Sequence, residues 1–240
     1  YTRMVKDRQA PLGYFIRARK GQEMTLPLQT CFYIRTDQTT QLVHNVVVAE
    51  PGATLHLISG CVTNAHVDVG CHVGVTEYYI GEGATVTSTM IHSWGPEVTV
   101  YPRAAAQVQR DGRFISNYVA MSPVKHLQMA PVAVVETGGL AEFYSIVYAP
   151  EGSNLDIGGM IRLQGERAKA DIVSRVVSDG GQVITRGCIV GEVDGVKGTM
   201  ACNGLLVNPR GSIHAIPELE GKAPLVSLSH EASVGMISQD

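Results

Sequence analysis

Apolar and β-branched residues alternate with polar ones in short runs along most of this chain. The clearest are "LVHNVVVAE", "ATLHLISGC", "ATVTSTMIH", "LAEFYSIVYA", "ADIVSRVVS" and "QVITRGCIV", each closed by glycine, proline or an acidic turn. A period of two puts successive side chains on opposite faces, the signature of a strand with one buried face. No segment carries a sustained 3.6-residue period, so the pattern predicts an all-β chain.

The turns resemble one another as well. "EPGATLHL", "GEGATVTS", "RDGRFISN", "TGGLAEFY" and "QGERAKADIV" each place glycine shortly before a strand. Gly52, Gly83, Gly112, Gly139 and Gly165 follow one another at steps of 31, 29, 27 and 26 residues. A unit of that length, made of strands and tight turns, buries its apolar face only when a neighbouring unit covers it, which points to a solenoid of stacked coils. A left-handed hexapeptide helix would need a strict six-residue beat, and none is present. The right-handed parallel β-helix and the antiparallel sandwich both remain open on periodicity, because Asp111-Gly112, Asp194-Gly195 and Asn203-Gly204 are hairpin-type dipeptides.

Composition narrows the function classes. The 240 residues carry a formal net charge of −3, with lysines and arginines scattered, so nothing marks a nucleic-acid-binding face. No run of eighteen apolar residues and no secretory leader is visible, which predicts a soluble, cytoplasmic chain without membrane contact. A start at Tyr1 and a stop at "MISQD" suggest a piece of a longer protein. The five cysteines, Cys31, Cys61, Cys71, Cys188 and Cys202, form no CxxC pair, and an odd count favours reduced thiols over a disulfide framework.

Several chemistries are missing. There is no GxxxxGK[ST] phosphate loop, "GEGATV" breaks the dinucleotide pattern after its second glycine, and no GxSxG elbow occurs. "HEASV" lacks the second histidine of a zinc-protease motif. What concentrates near the end is a set of metal-capable side chains: Cys202, His214, Glu218, Glu220, His230 and Glu231 fall in three successive strand-like runs. Cys202 precedes His230 by 28 residues, within the coil steps above, so thiol and imidazole are expected one above the other. Sulfur with imidazole and carboxylate partners suits iron or an iron–sulfur unit. The plainer alternative is a buried thiol and two histidines held by local hydrogen bonds. His72 and Glu77 sit five apart on one run and should face opposite sides, and Trp94 is expected to pack at a coil corner.

"HNVVVAEPGATLHLISGC", "SDGGQVITRGCIVG", "ACNGLLV", "AIPELE" and "LSHEASVG", in this order, resemble the core domain of the SufB/SufD family of iron–sulfur cluster assembly proteins. The resemblance implies a right-handed parallel β-helix over residues 1–240, acting as a non-enzymatic scaffold of a SUF-type system. It implies a transient iron–sulfur cluster, absent from the isolated chain, held near a dimer interface. The implied partners are a second copy or a SufD-type chain, and SufC, a separate ABC-type ATPase. Cys202 falls on the cysteine that SufB-type members use in assembly, His230 on the family's "HEA" or "HGA" histidine, and Glu231 on the SufB-type glutamate; Glu218 and Cys61 are further candidates. Cys202 together with Glu231 leans the chain towards SufB rather than SufD. The family's N-terminal region is missing from this sequence, and its helical SufC-docking segment would begin just past Asp240. A β-helix carbohydrate hydrolase or lyase, with carboxylates lined along one coil face, is the competing function.

Overall fold

A computed structural model describes residues 12–64 and 66–237, and their regular structure is entirely strand. In chain order the strands are β1 (Phe15–Ala18), β2 (Leu28–Ile34), β3 (Thr39–Ala49), β4 (Thr54–Thr63), β5 (Val69–Ile80), β6 (Thr85–Ser93), β7 (Glu97–Val108), β8 (Arg113–Ala120) and β9 (His126–Met129). They continue with β10 (Val132–Val135), β11 (Leu140–Pro150), β12 (Asn154–Leu163), β13 (Lys169–Asp179), β14 (Gln182–Gly191), β15 (Lys197–Asn208), β16 (Ser212–Gly221) and β17 (Ser227–Met236).

Consecutive strands go to different sheets, except β9 and β10, which share one. One sheet stacks β1-β3-β5-β7-β10-β12-β14-β16, with β9 beside β10 in the same rung, and the other stacks β2-β4-β6-β8-β11-β13-β15-β17. Neighbours within each sheet run parallel; Phe15 lies against Val46, Val69 against Glu97 and Lys197 against Ser227. Parallel neighbours one coil apart exclude the hairpin sandwich, and the chain winds as a β-solenoid of eight rungs on the second sheet. Parallel sheets are usually covered on both faces and read as unbroken apolar runs. Here it is mainly the inner face that is covered; Val73 and Val75 of β5 are outward-facing exceptions, packed with Leu42, Cys71 and Tyr101. The alternation in the sequence is therefore preserved, as in the buried Gln41, Val43, Asn45, Val47 and Ala49 of β3, whose intervening side chains are part-exposed.

Two apolar clusters fill the tube, one around Leu55, Phe114, Ile161 and Met200, the other around Ile34, Trp94, Leu127 and Ile157. Each such side chain contributes about 1.5–3 kcal/mol by leaving water, so covering an inner face by the next coil is what holds the rungs together.

One corner is a column of residues in the left-handed region: Gly21, Gly52, Gly83, Asp111, Gly138, Arg167 and Gly195, with φ between 56° and 76°. Their amide N–H groups rise coil to coil, Gly52 donating to the Glu82 carbonyl at 2.8 Å, Gly83 to Arg110 at 2.9 Å and Asp111 to Thr137 at 2.9 Å. The sequence pattern aligned Gly112, Gly139 and Gly165 in this column, and the structure corrects it to Asp111, Gly138 and Arg167. Gly165 is required for another reason. An added Cβ there would overlap the Thr137 backbone nitrogen of the coil below.

Candidate functional site

The C-terminal rungs set the geometry of the candidate residues. Across the interior, β14 and β15 face each other in opposite directions: a Cβ on Gly198 would meet Ile189 at 2.8 Å, and one on Gly187 would meet the Met200 sulfur at 2.5 Å. Stepping two residues further along each strand brings Thr185 opposite Cys202. Cys202 is 5% exposed and Thr185 2%. Cys202 stacks between Ser174 below and Ala232 above, and Thr185 between Ile157 and Ala215. Burial raises the Cys202 thiol above its ordinary value, opposed by the Thr185 hydroxyl beside it.

His230 does not stack on Cys202. The coil step here is 30 residues, so Met200 lies beneath His230 and Cys202 beneath Ala232. The 28-residue reasoning failed because coils in this solenoid vary in length. The two side chains still share the inner face as diagonal neighbours, at roughly 8 Å from strand spacing and rise. The His230 Nε2 is buried without a hydrogen-bond partner. Glu231 stacks on Ala201 and is exposed on the outer face, so the adjacent pair serves opposite sides as a strand requires.

The further candidates lie elsewhere. Glu218 stacks over Cys188 on the outer face of the other sheet, and burial followed by the Glu218 carboxylate pushes that thiol up. His214 is exposed over Ile184, and Glu220 is exposed over Val190. Cys61 is on β4, five strand pairings from β15, with its thiol pushed up to about 12 by burial. Among the described residues no three His, Cys, Asp or Glu side chains converge as a metal site.

The middle coils hold a partly open cavity of about 70 Å³. Its wall includes Cys61, His72 and Tyr118 at one end and Ser174, the residue directly beneath Cys202, at the other. Beside it is a cluster that sequence reading reached only in part. His72 Nδ1 donates to the Gln41 carboxamide oxygen at 2.8 Å, His92 bonds Tyr118 at 2.8 Å, and Trp94 packs against both imidazoles with ring centroids 5.0 and 5.1 Å away. Burial depresses His72 to about 4 and His92 well below its ordinary value. Trp94 is thus packing, as expected, and Glu77 faces outward, where it bonds His44 at 2.8 Å and Tyr79 at 2.6 Å. The sequence signal for this cluster was polar residues at inward parity, Gln41, His72 and His92, which alternation alone reads as interruptions of the core.

The five cysteines are all free thiols, and no helix among the described residues is long and apolar enough to cross a membrane. Some acidic groups are paired singly with a cation, Asp156 with Arg186 at 2.7 Å, Glu192 with Arg162 and Glu97 with Lys125. Glu142 and Asp171 do adjoin on an outer sheet face, where burial and then Asp171 raise the Glu142 carboxyl, but neither lines the cavity.

The model of the SUF system FeS cluster assembly SufBD core domain matches residues 32–240. The chain belongs to the SufBD family. An iron–sulfur cluster assembly SufBD family protein of Archaeoglobus fulgidus is 43% identical over 240 residues, all of this chain and 64% of the relative. One from Methanothermobacter thermautotrophicus is 42% identical over 231 residues, 95% of this chain and 56% of the relative. A SufBD family protein of Pyrococcus horikoshii is 31% identical over 229 residues, covering 51% of its length. The chain thus spans about half to two-thirds of these relatives. Family membership favours cluster assembly over the carbohydrate-enzyme alternative.

Proposed function

We propose that this SufBD chain is a non-enzymatic scaffold on which an iron–sulfur cluster is built as cargo, with Cys202, His230 and Glu231 contributing to its capture. The observation that carries the reading is an incomplete donor set in the last described rungs of the solenoid. A buried thiol and an unpartnered imidazole nitrogen share the interior of the last rungs, Glu231 lies outside, and no third donor joins them within the described residues. A second chain supplies what is missing. Among the described residues no strand pairs with the far edges of β16 and β17, and Leu219, Val234 and Met236 there are 38%, 51% and 60% exposed. Unpaired edges with apolar side chains are the surfaces proteins cover by pairing. The partner is a second copy or a SufD-type chain, and the energy-coupling step belongs to SufC, a separate ATPase, in the cytoplasm.

Anaerobic reconstitution with ferrous iron and sulfide, read by absorption, tests the ligands. Cys202→Ser, His230→Ala and Glu231→Ala should each abolish or strongly reduce cluster yield, while Cys31→Ser and Cys188→Ser retain it. Equal losses in all five would reduce the effect to general destabilisation and remove the assignment. Light scattering tests the pairing: a dimer is expected, and Val234→Lys should convert it to a monomer with unchanged Tm. A monomeric parent chain across micromolar concentrations refutes pairing through this end.

A further inference from the structure

The inner face around Cys202 contains a buried hydroxyl beside the thiol. Thr185 is 2% exposed, and its Oγ1 is buried without a hydrogen-bond partner. Its stacking neighbours, Ile157 and Ala215, have no polar side-chain atoms. Leaving a buried hydroxyl unpaired is destabilising, and valine would occupy the same volume without that cost. The polar atom across the tube is the Cys202 sulfur, placed there by the register that sets Gly198 against Ile189 and Gly187 against Met200. Below the thiol, Ser174 accepts from Ser145 at 3.2 Å, and above it Ala232 is apolar. The titratable side chain on the neighbouring inner face is His230, diagonal to Cys202 on β17; Glu231, Asn203 and Arg175 point outward.

The geometry points to Thr185 as a positioning residue for Cys202: its O–H lies across the tube from the sulfur, between apolar stacking neighbours, and is placed to donate to that sulfur and hold its direction. A sulfur that carries cargo makes such a bond charge-assisted and roughly twice as strong as a neutral one. Donors of this kind orient and tune the ligating atom without touching the metal. This inference rests on the reading of Cys202 as the working cysteine, yet its test can fail separately.

Methyl methanethiosulfonate, a small thiol-specific reagent, is applied to the whole chain at pH 7.5, and the modification rate of each cysteine is read by peptide mass spectrometry. Thr185→Val should slow modification of Cys202 by about tenfold, the equivalent of about 1.4 kcal/mol, with Cys31 as an unchanged internal reference. Thr185→Ser should restore the rate. Tm of Thr185→Val should equal or exceed that of the parent chain, because an unpaired hydroxyl has been exchanged for a methyl group in apolar surroundings. Equal Cys202 rates in the parent and Thr185→Val overturn the inference, as does a Cys202 that stays unmodified in the parent chain. A lower Tm with an unchanged rate assigns Thr185 a purely structural part. Normal cluster yield in Cys202→Ser would instead sink the scaffold reading while leaving the rate comparison to stand.

Discussion

Replacing His72 with leucine should make the solenoid less stable at neutral pH and relatively more stable in acid. His72 is 3% exposed, bonded to Gln41, and held by burial at about 4 instead of its ordinary 6.5. The unfolded chain therefore takes up a proton on this imidazole between pH 6.5 and 4 that the folded chain refuses. Stability from this residue is complete above pH 6.5 and is lost as pH falls. At 1.36 kcal/mol per unit, the loss is about 2 kcal/mol by pH 5 and about 3 kcal/mol by pH 4. Leucine removes that acid penalty. At pH 7 it strips the Gln41 carboxamide oxygen of its partner inside the tube, a cost of about 1–3 kcal/mol. The two effects have opposite sign, so the stability curves of parent and His72→Leu should cross near pH 5. His92, also depressed by burial, keeps part of the acid sensitivity in the variant. Urea unfolding midpoints measured from pH 7.5 to 4 supply the curves. Parallel curves, with a constant gap at every pH, would refute a neutral buried His72.

Three further outcomes concern single positions along the coils. Gly165→Ala should destabilise the fold far more than Gly83→Ala, because the added methyl meets the Thr137 backbone in the first case and open space in the second; the Gly83 change should cost about 1 kcal/mol for its left-handed φ, and equal Tm losses would contradict the close approach at Gly165. Arg167→Gly should stabilise slightly, by about 0.5 kcal/mol, since an exposed side chain with φ of 62° gains freedom that glycine has at no steric cost; a fall in Tm would show that the arginine does more than fill the column. Gly159→Val should be strongly destabilising, because its Cβ would press on the Phe143 ring at 2.7 Å from the opposite sheet; thermal melts check it, and a Tm equal to that of the parent would deny the contact.

The alternation in runs such as "LVHNVVVAE" determined the strands and their inward residues, because a strand's period of two is a property of each segment by itself. The recurring turns gave coils of about the right length for the same local reason. Sequence order and the residues of "ACNGLLV" and "LSHEASVG" also sufficed for the family, since motif identity needs no coordinates. What one coil does to the next was beyond local reading. Coil steps range from 27 residues between Thr99 and His126 to 31 between Thr39 and Gly70, so a 28-residue separation could not decide which residue lies under His230. Only the ladder of hydrogen bonds fixed Met200 there and moved Cys202 one place along the diagonal. The corner column depended equally on stacking: Asp111 and Arg167 take left-handed φ because the amides above and below dictate the path, against their own preference. The pairing of Thr185 with Cys202 is more remote still, set by two sheets meeting across the tube. A threonine at an inward position marks itself in sequence only as a polar break in the core, and the interior packing of facing sheets decides which sulfur it serves.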